Sequence, residues 1–139
     1  MEQKKVINLE GFFTEENERN GVWHEPLIDG EPCGIQFLII GIHSEEAIEK
    51  MDYYDKLLDE LQEDDESKRI QKEKEIDAER VASITKGIRA ADGSVLKVDG
   101  EDLKFSMEFM KRFYMEAPMI KMDNVEFAVK SSNFMKKNV

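Results

Sequence analysis

Four consecutive large apolar residues, Phe37-Leu38-Ile39-Ile40, lie in a segment bounded by turn-forming residues. Side chains along a strand alternate between its two faces, so a run with no polar interruption must be covered on both sides. Upstream, Gly21 to Ile28 carries Val22, Trp23, Leu27 and Ile28 and reads as a strand. Asp29-Gly30-Glu31-Pro32 then supplies the positive-φ and fixed-φ residues of a tight connection. The expected product is an N-terminal β-hairpin, with residues 35–42 as its second strand. Two strands alone are marginally stable in water, which calls for helices packed against them or a strand from a neighbouring subunit.

The downstream pattern is helical. Ser44 before Glu45 and Glu46 is a helix start: the hydroxyl caps free N–H groups, and the carboxylates suit the positive end of the helix dipole. Ala47, Ile48, Met51, Tyr54, Leu58 and Leu61 recur every three or four residues. From Asp59 to Arg80, 15 of 22 positions are charged, and Asp64 and Asp65 precede Lys68 and Arg69 by four residues, the spacing of helical ion pairs. Residues 59–80 are therefore expected to protrude into solvent as a charged arm or hairpin, ordered alone or on meeting a partner. Val81, Ile84, Thr85 and Ile88 restore an apolar face. This predicts one long, charged, interrupted helix.

Asp92-Gly93 and Asp99-Gly100 bracket Val95, Leu96 and Val98, a short strand or an extended loop. Ser106 reads as another cap, with Phe105 placed to pack on Met110, and Pro118 suits the first turn of a final helix. Two C-terminal helices follow, and Lys136-Lys137-Asn138 reads as a solvated basic tail. Residues 1–20 show no sustained period and read as a flexible arm that docks through Phe12 and Phe13. The fold class is α+β and mainly helical, in a single domain spanning 1–139, the size of one ordinary domain.

Chemistry narrows the function. The net charge of −11 repels phosphate backbones, so no nucleic acid is expected as a partner. A mimic of DNA is a weak alternative, because Lys68, Arg69, Lys72, Lys74 and Arg80 dilute the negative field of the middle segment. The longest apolar stretch is far too short to span a bilayer, and no secretory leader is recognisable, so a soluble cytosolic protein with no membrane partner is expected. Cys33 is the only cysteine and His24 and His43 the only histidines, too few for a recognisable metal or nucleophilic constellation. No phosphate-binding glycine loop or calcium loop has its full ligand set. The expectation is no enzyme and no cofactor.

Interaction chemistry remains. Five of eight methionines, at 107, 110, 115, 119 and 122, fall near the C-terminus among phenylalanines. Such a stripe fills a core or forms a soft groove that adapts to helical partners. Trp23, Phe105, Met110, Phe113, Tyr114 and Phe127 are the candidate partner-binding residues, each also suited to a core position.

The order of several segments also carries a resemblance. Asn20-Gly21-x-Trp23, the Gly30 turn before an apolar strand, and the charged helix are followed by Ile84-Thr85-Lys86-Gly87-Ile88, the Gly93 turn and Phe105-Ser106-x-Glu108. Tyr114, Pro118, Val125, Phe127 and Asn133-Phe134 close the series. Over most of residues 20–135 the chain resembles the small tail assembly chaperones of long-tailed bacteriophages. The resemblance implies a self-associating, non-enzymatic viral protein of the host cytoplasm that binds the tape measure protein and helps recruit tail tube protein subunits. The alternative is a structural phage tail or connector component retained in the virion.

Overall fold

The structure is a computed structural model and describes residues 3–139. After a 3-10 turn at Leu9–Phe12, the chain forms α1 (Glu15–Asn20), β1 (Val22–His24), a ribbon of β2 (Leu27–Ile28) and β3 (Glu31–Pro32), and β4 (Ile35–Ile39). Next come α2 (Glu45–Asp59), α3 (Glu66–Ser83), β5 (Thr85–Ala90) and a second ribbon of β6 (Lys97–Val98) and β7 (Glu101–Asp102). Helices α4 (Met107–Glu116) and α5 (Pro118–Val129) and two 3-10 turns, Ser131–Phe134 and Lys136–Asn138, complete an α+β, mainly helical fold.

The sheet has three antiparallel strands with β4 in the centre, flanked by β1 and β5. Leu38 lies opposite Trp23 on one side and Gly87 on the other; Phe37 lies between His24 and Ile88. A bulge after Leu38 pairs Ile39 with Thr85 and leaves Lys86 as the extra residue. The hairpin thus gains its third strand from this same chain. Val81, Ile84, Thr85 and Ile88 had the spacing of one helical face, but α3 stops at Ser83 and the last two of these residues belong to β5. Residues 21–28 are likewise not one strand: β1 ends at His24, and Leu27 and Ile28 pair with Pro32 and Glu31. Asp29 and Gly30, both at positive φ, make that turn, and Asp99 and Gly100 repeat it between β6 and β7.

Only one face of β4 is covered by helices. Phe37 and Ile39 are fully buried in a cluster with Ala78, Val81 and Ala82 of α3, Met110 and Tyr114 of α4 and Ala128 of α5. On the opposite face Leu38 is half-buried and its cover is local: the Trp23 indole lies over Gly87, where an added Cβ would stand 3.1 Å from the ring. The Arg89 guanidinium sits 3.9 Å from the Trp23 ring centre, a cation–π contact. Past Ile39 the chain pairs with three different elements: Ile40 N–H donates to Ile84 O, Gly41 N–H to Glu18 O and Ile42 N–H to Ala128 O. The strand therefore ends before Ile42.

The expected caps are in place. Ser44 Oγ accepts from Ala47 N at 3.2 Å, Ser106 Oγ accepts from Phe109 N at 3.0 Å, and Pro118 occupies the first turn of α5. The charged middle segment is a helical hairpin: α2 and α3 pack together, joined by residues 60–65. Asp65 caps α3 by accepting from Lys68 N at 2.9 Å, while Lys72 pairs with Glu63 across the turn at 2.8 Å. Residues 64–74 are exposed, whereas Asp77 and Arg80 are half-buried and tie three helices together: Arg80 reaches Asp55 of α2 at 2.9 Å, and Asp77 accepts from Lys121 of α5.

The N-terminal segment docks against the C-terminal turns, with Phe12 and Phe13 both in the contact. Asn17 Nδ2 donates to Phe134 O at 3.0 Å and Lys136 N–H to Phe13 O at 3.1 Å. Lys137 lies 4.0 Å over the Phe12 ring and Lys136 pairs with Glu16 at 3.2 Å, so the C-terminal lysines clamp this segment. Residues 1 and 2 of the expected arm lie outside the described residues.

Candidate functional site

The six candidate contact residues separate into core and surface. Met110 and Tyr114 are 0% and 1% exposed, so neither reaches a partner. Both lie on the side of α4 turned to the sheet. Tyr114 is the hub of a buried polar chain: Asn124 Nδ2 donates to its hydroxyl at 2.8 Å, the hydroxyl bonds Thr85 Oγ1 at 2.7 Å, and Thr85 Oγ1 donates to Val81 O at 2.9 Å. Burial pushes the Tyr114 hydroxyl up to about 12, against the opposing hydrogen bonds of Thr85 and Asn124. Asn124 Oδ1 is buried without a partner.

Phe127 is half-buried, stacked on the His24 ring at 4.1 Å and tilted against Phe134 at 5.4 Å. His24 Nε2 lies 2.6 Å from Asp123 Oδ2. A carboxylate only accepts, so this nitrogen carries the proton and the pair fixes β1 to α5. Trp23 lies on the opposite sheet face, while Phe113 is half-buried and Phe105 partly exposed near the second ribbon. The six residues form no single patch.

A different apolar strip is exposed. Leu27, Met119 and Met122 are 60%, 63% and 60% exposed and line one cleft of about 250 Å³ with Pro26, Ile28 and Ile120. Asp123 and Glu126 stand at its edge, and Val129 continues the same helical line at 51% exposure. The cause is legible in α5 itself. Pro118, Met119, Ile120, Met122, Val125, Phe127, Ala128 and Val129 surround its axis with apolar side chains, yet only one side of this helix meets the sheet. Leu27 reaches this strip because it pairs with Pro32 in the β2–β3 ribbon and not in the main sheet, a placement that its strand-like sequence setting does not signal.

Two other recesses differ in chemistry. An open hollow of about 790 Å³ lies between α1 and the start of α2, lined by Glu15, Glu18, Glu45, Glu46 and Glu49 with Arg19 and His43. Glu18 is buried there; its Oε2 accepts from Thr14 and its Oε1 has no partner. A smaller apolar recess of about 240 Å³ lies between the sheet, α4 and the second ribbon. Among the described residues, no three His, Cys, Asp or Glu side chains are grouped to hold a metal ion, and no helix is long and apolar enough to cross a membrane. Cys33 is half-buried and its Sγ bonds Ile35 O at 3.4 Å. No family model, curated protein or solved structure matches the chain.

Proposed function

We propose that this is a non-enzymatic bacteriophage tail assembly chaperone that binds the tape measure protein in the host cytoplasm and helps recruit tail tube subunits. The observation that carries this reading is the Leu27, Met119 and Met122 strip, an apolar surface offered by β2 and by the outward apolar side chains of α5. Methionine suits such a surface, since its flexible thioether adapts to many helical partners. The net charge of −11 keeps the unbound protein soluble while it offers that strip. The ordered series of segments from Asn20 to Phe134 supplies the choice of client.

The test is co-expression with a tape measure protein followed by size-exclusion chromatography. Co-elution is expected, and Met119→Glu with Met122→Glu is expected to release the client while the variant stays folded by circular dichroism. Independent elution of the two wild-type proteins overturns the proposal. Mass spectrometry of finished virions separates the second reading, a retained tail or connector component, because a chaperone is absent from the particle.

A further inference from the structure

The recess of about 240 Å³ beside the second ribbon has the build of a binding pocket. The sheet contributes Ile35 and Ile88, α4 contributes Phe109 and Phe113, and the ribbon segment contributes Leu96 and Leu103. Each of these six side chains is only half-buried, though four of them pack directly on the core. Apolar groups that converge from three elements and still leave space between them lack the dense packing of a protein interior.

The segment that covers the recess is a flap. It leaves β5 through the Gly93 turn and holds itself together by a Leu103 N–H bond to Leu96 O at 2.8 Å. One ion pair latches it to α4: Arg112 donates to both carboxylate oxygens of Asp99, at 2.7 and 3.1 Å. Both residues of the latch are exposed, so water competes for it and the half-buried contacts of Leu96, Val98 and Leu103 carry most of the segment's attachment.

Size and lining choose the occupant. The space exceeds the roughly 150 Å³ cavity that holds benzene and falls below the roughly 300 Å³ at which cofactor and drug-sized sites begin. One ring system up to the size of indole fits. Phe109 and Phe113, with ring centres 6.0 Å apart, offer edges and faces to an incoming ring, and Arg112 at the rim offers a cation to its π face. Lys97 and Glu116 complete a charged rim able to meet polar backbone outside the recess. We infer that this recess is an anchor pocket for one aromatic side chain of a partner protein, admitted when the flap unlatches. It shares no lining residue with the Leu27, Met119 and Met122 strip, so it stands apart from the tail assembly reading.

Methyl-labelled full-length protein titrated with indole and, separately, with N-acetyltryptophanamide provides the test. Both probes are expected to give saturable shifts at the methyls of Ile35, Ile88, Leu96 and Leu103, with affinities within about threefold of each other. Leu103→Trp places an indole in the recess from the flap itself and is expected to abolish both titrations. Asp99→Asn keeps a residue that tolerates the left-handed turn conformation and removes the latch charge; faster amide exchange across residues 94–103 is expected. Saturation by indole with exclusion of the amide overturns the side-chain assignment in favour of a free small aromatic. Absence of saturable shifts at these methyls in the wild-type protein overturns the pocket altogether.

Discussion

Replacing Tyr114 by Phe removes one oxygen from the centre of the core, and the structure says where the damage falls. Thr85 keeps its bond to Val81 O, so its hydroxyl stays satisfied as a donor. Asn124 is fully buried, its Oδ1 already lacks a partner, and its Nδ2 bonds only the Tyr114 hydroxyl. The variant therefore strands a whole buried amide, which costs about 1–3 kcal/mol. With a urea slope of about 2 kcal/mol/M for a domain of this size, the midpoint should fall by about 0.5–1.5 M with unchanged slope. Asn124→Leu removes the orphaned group while Tyr114 continues to donate to Thr85, so it should cost less than Tyr114→Phe. The double variant should recover more than half of the Tyr114→Phe loss, because no amide is left unpaired. The alkaline limb gives a second reading. Tyr114 titrates near 10.0 when unfolded and at about 12 when folded, so between these values the unfolded state alone loses its proton. Stability must fall with rising pH over that window, by about 2–3 kcal/mol in total, and the Phe variant must lack this share of the fall. A double variant no more stable than Tyr114→Phe, together with an unaltered alkaline limb, would refute the account of Tyr114 as hub.

Three further substitutions probe other joints. Gly41→Ala sets a Cβ 2.4 Å from Glu18 Cγ and 2.7 Å from its Cβ, so α1 must shift; a loss of about 1–3 kcal/mol in urea denaturation is expected. Asp77 is pushed up by burial but drawn further down by Lys121 and Arg80, so its net shift is below 3.8. Its contribution is present above that value and lost as pH falls through the folded one; Asp77→Asn should cost about 1 kcal/mol at pH 7, a difference that shrinks as pH falls below 3.8 in acid denaturation curves. Ser106→Ala removes the hydroxyl that accepts from Phe109 N and should lower stability by about 1 kcal/mol without altering the helix content seen by circular dichroism.

Local signals were legible and distant ones were not. Ser44, Ser106 and Pro118 mark helix starts because a cap acts within four residues, and the Asp-Gly pairs mark turns because positive φ is a property of the residue itself. The third strand was hidden. Thr85 and Ile88 have helical spacing from Val81, and what turns them into a strand is the open edge of β4, some fifty residues earlier. Asp65 read as half of an ion pair and proved to be a cap, because the break between α2 and α3 contains neither Gly nor Pro. The docking of the N-terminal segment depends on Asn17 meeting Phe134, a contact across 117 residues. For the surface, methionine enrichment pointed to α5 and its neighbour, but which methionines face outward depends on the rotation of each helix against the sheet. Met110 turned inward, and Met119 and Met122 outward.

That division bears on why α5 is apolar outside as well as inside. A three-stranded sheet with helices on one face offers α5 only one surface to bury, and Asn124 and Ala128 already occupy it. Lysine or glutamate at 119 and 122 would serve an isolated domain equally well, since these positions contribute little to the core and exposed helical sites tolerate such residues. Met119→Lys with Met122→Glu should therefore change stability by no more than about 0.5 kcal/mol in dilute solution, the usual range for surface exchanges. If the outward strip serves association with a client, the same variant loses client binding at unchanged stability. If the strip is instead covered by a second copy of this chain, the variant shifts the sedimentation coefficient and lowers the melting temperature in a concentration-dependent way. A variant that keeps both client binding and oligomeric state would show that the methionines of α5 have no role in recognition.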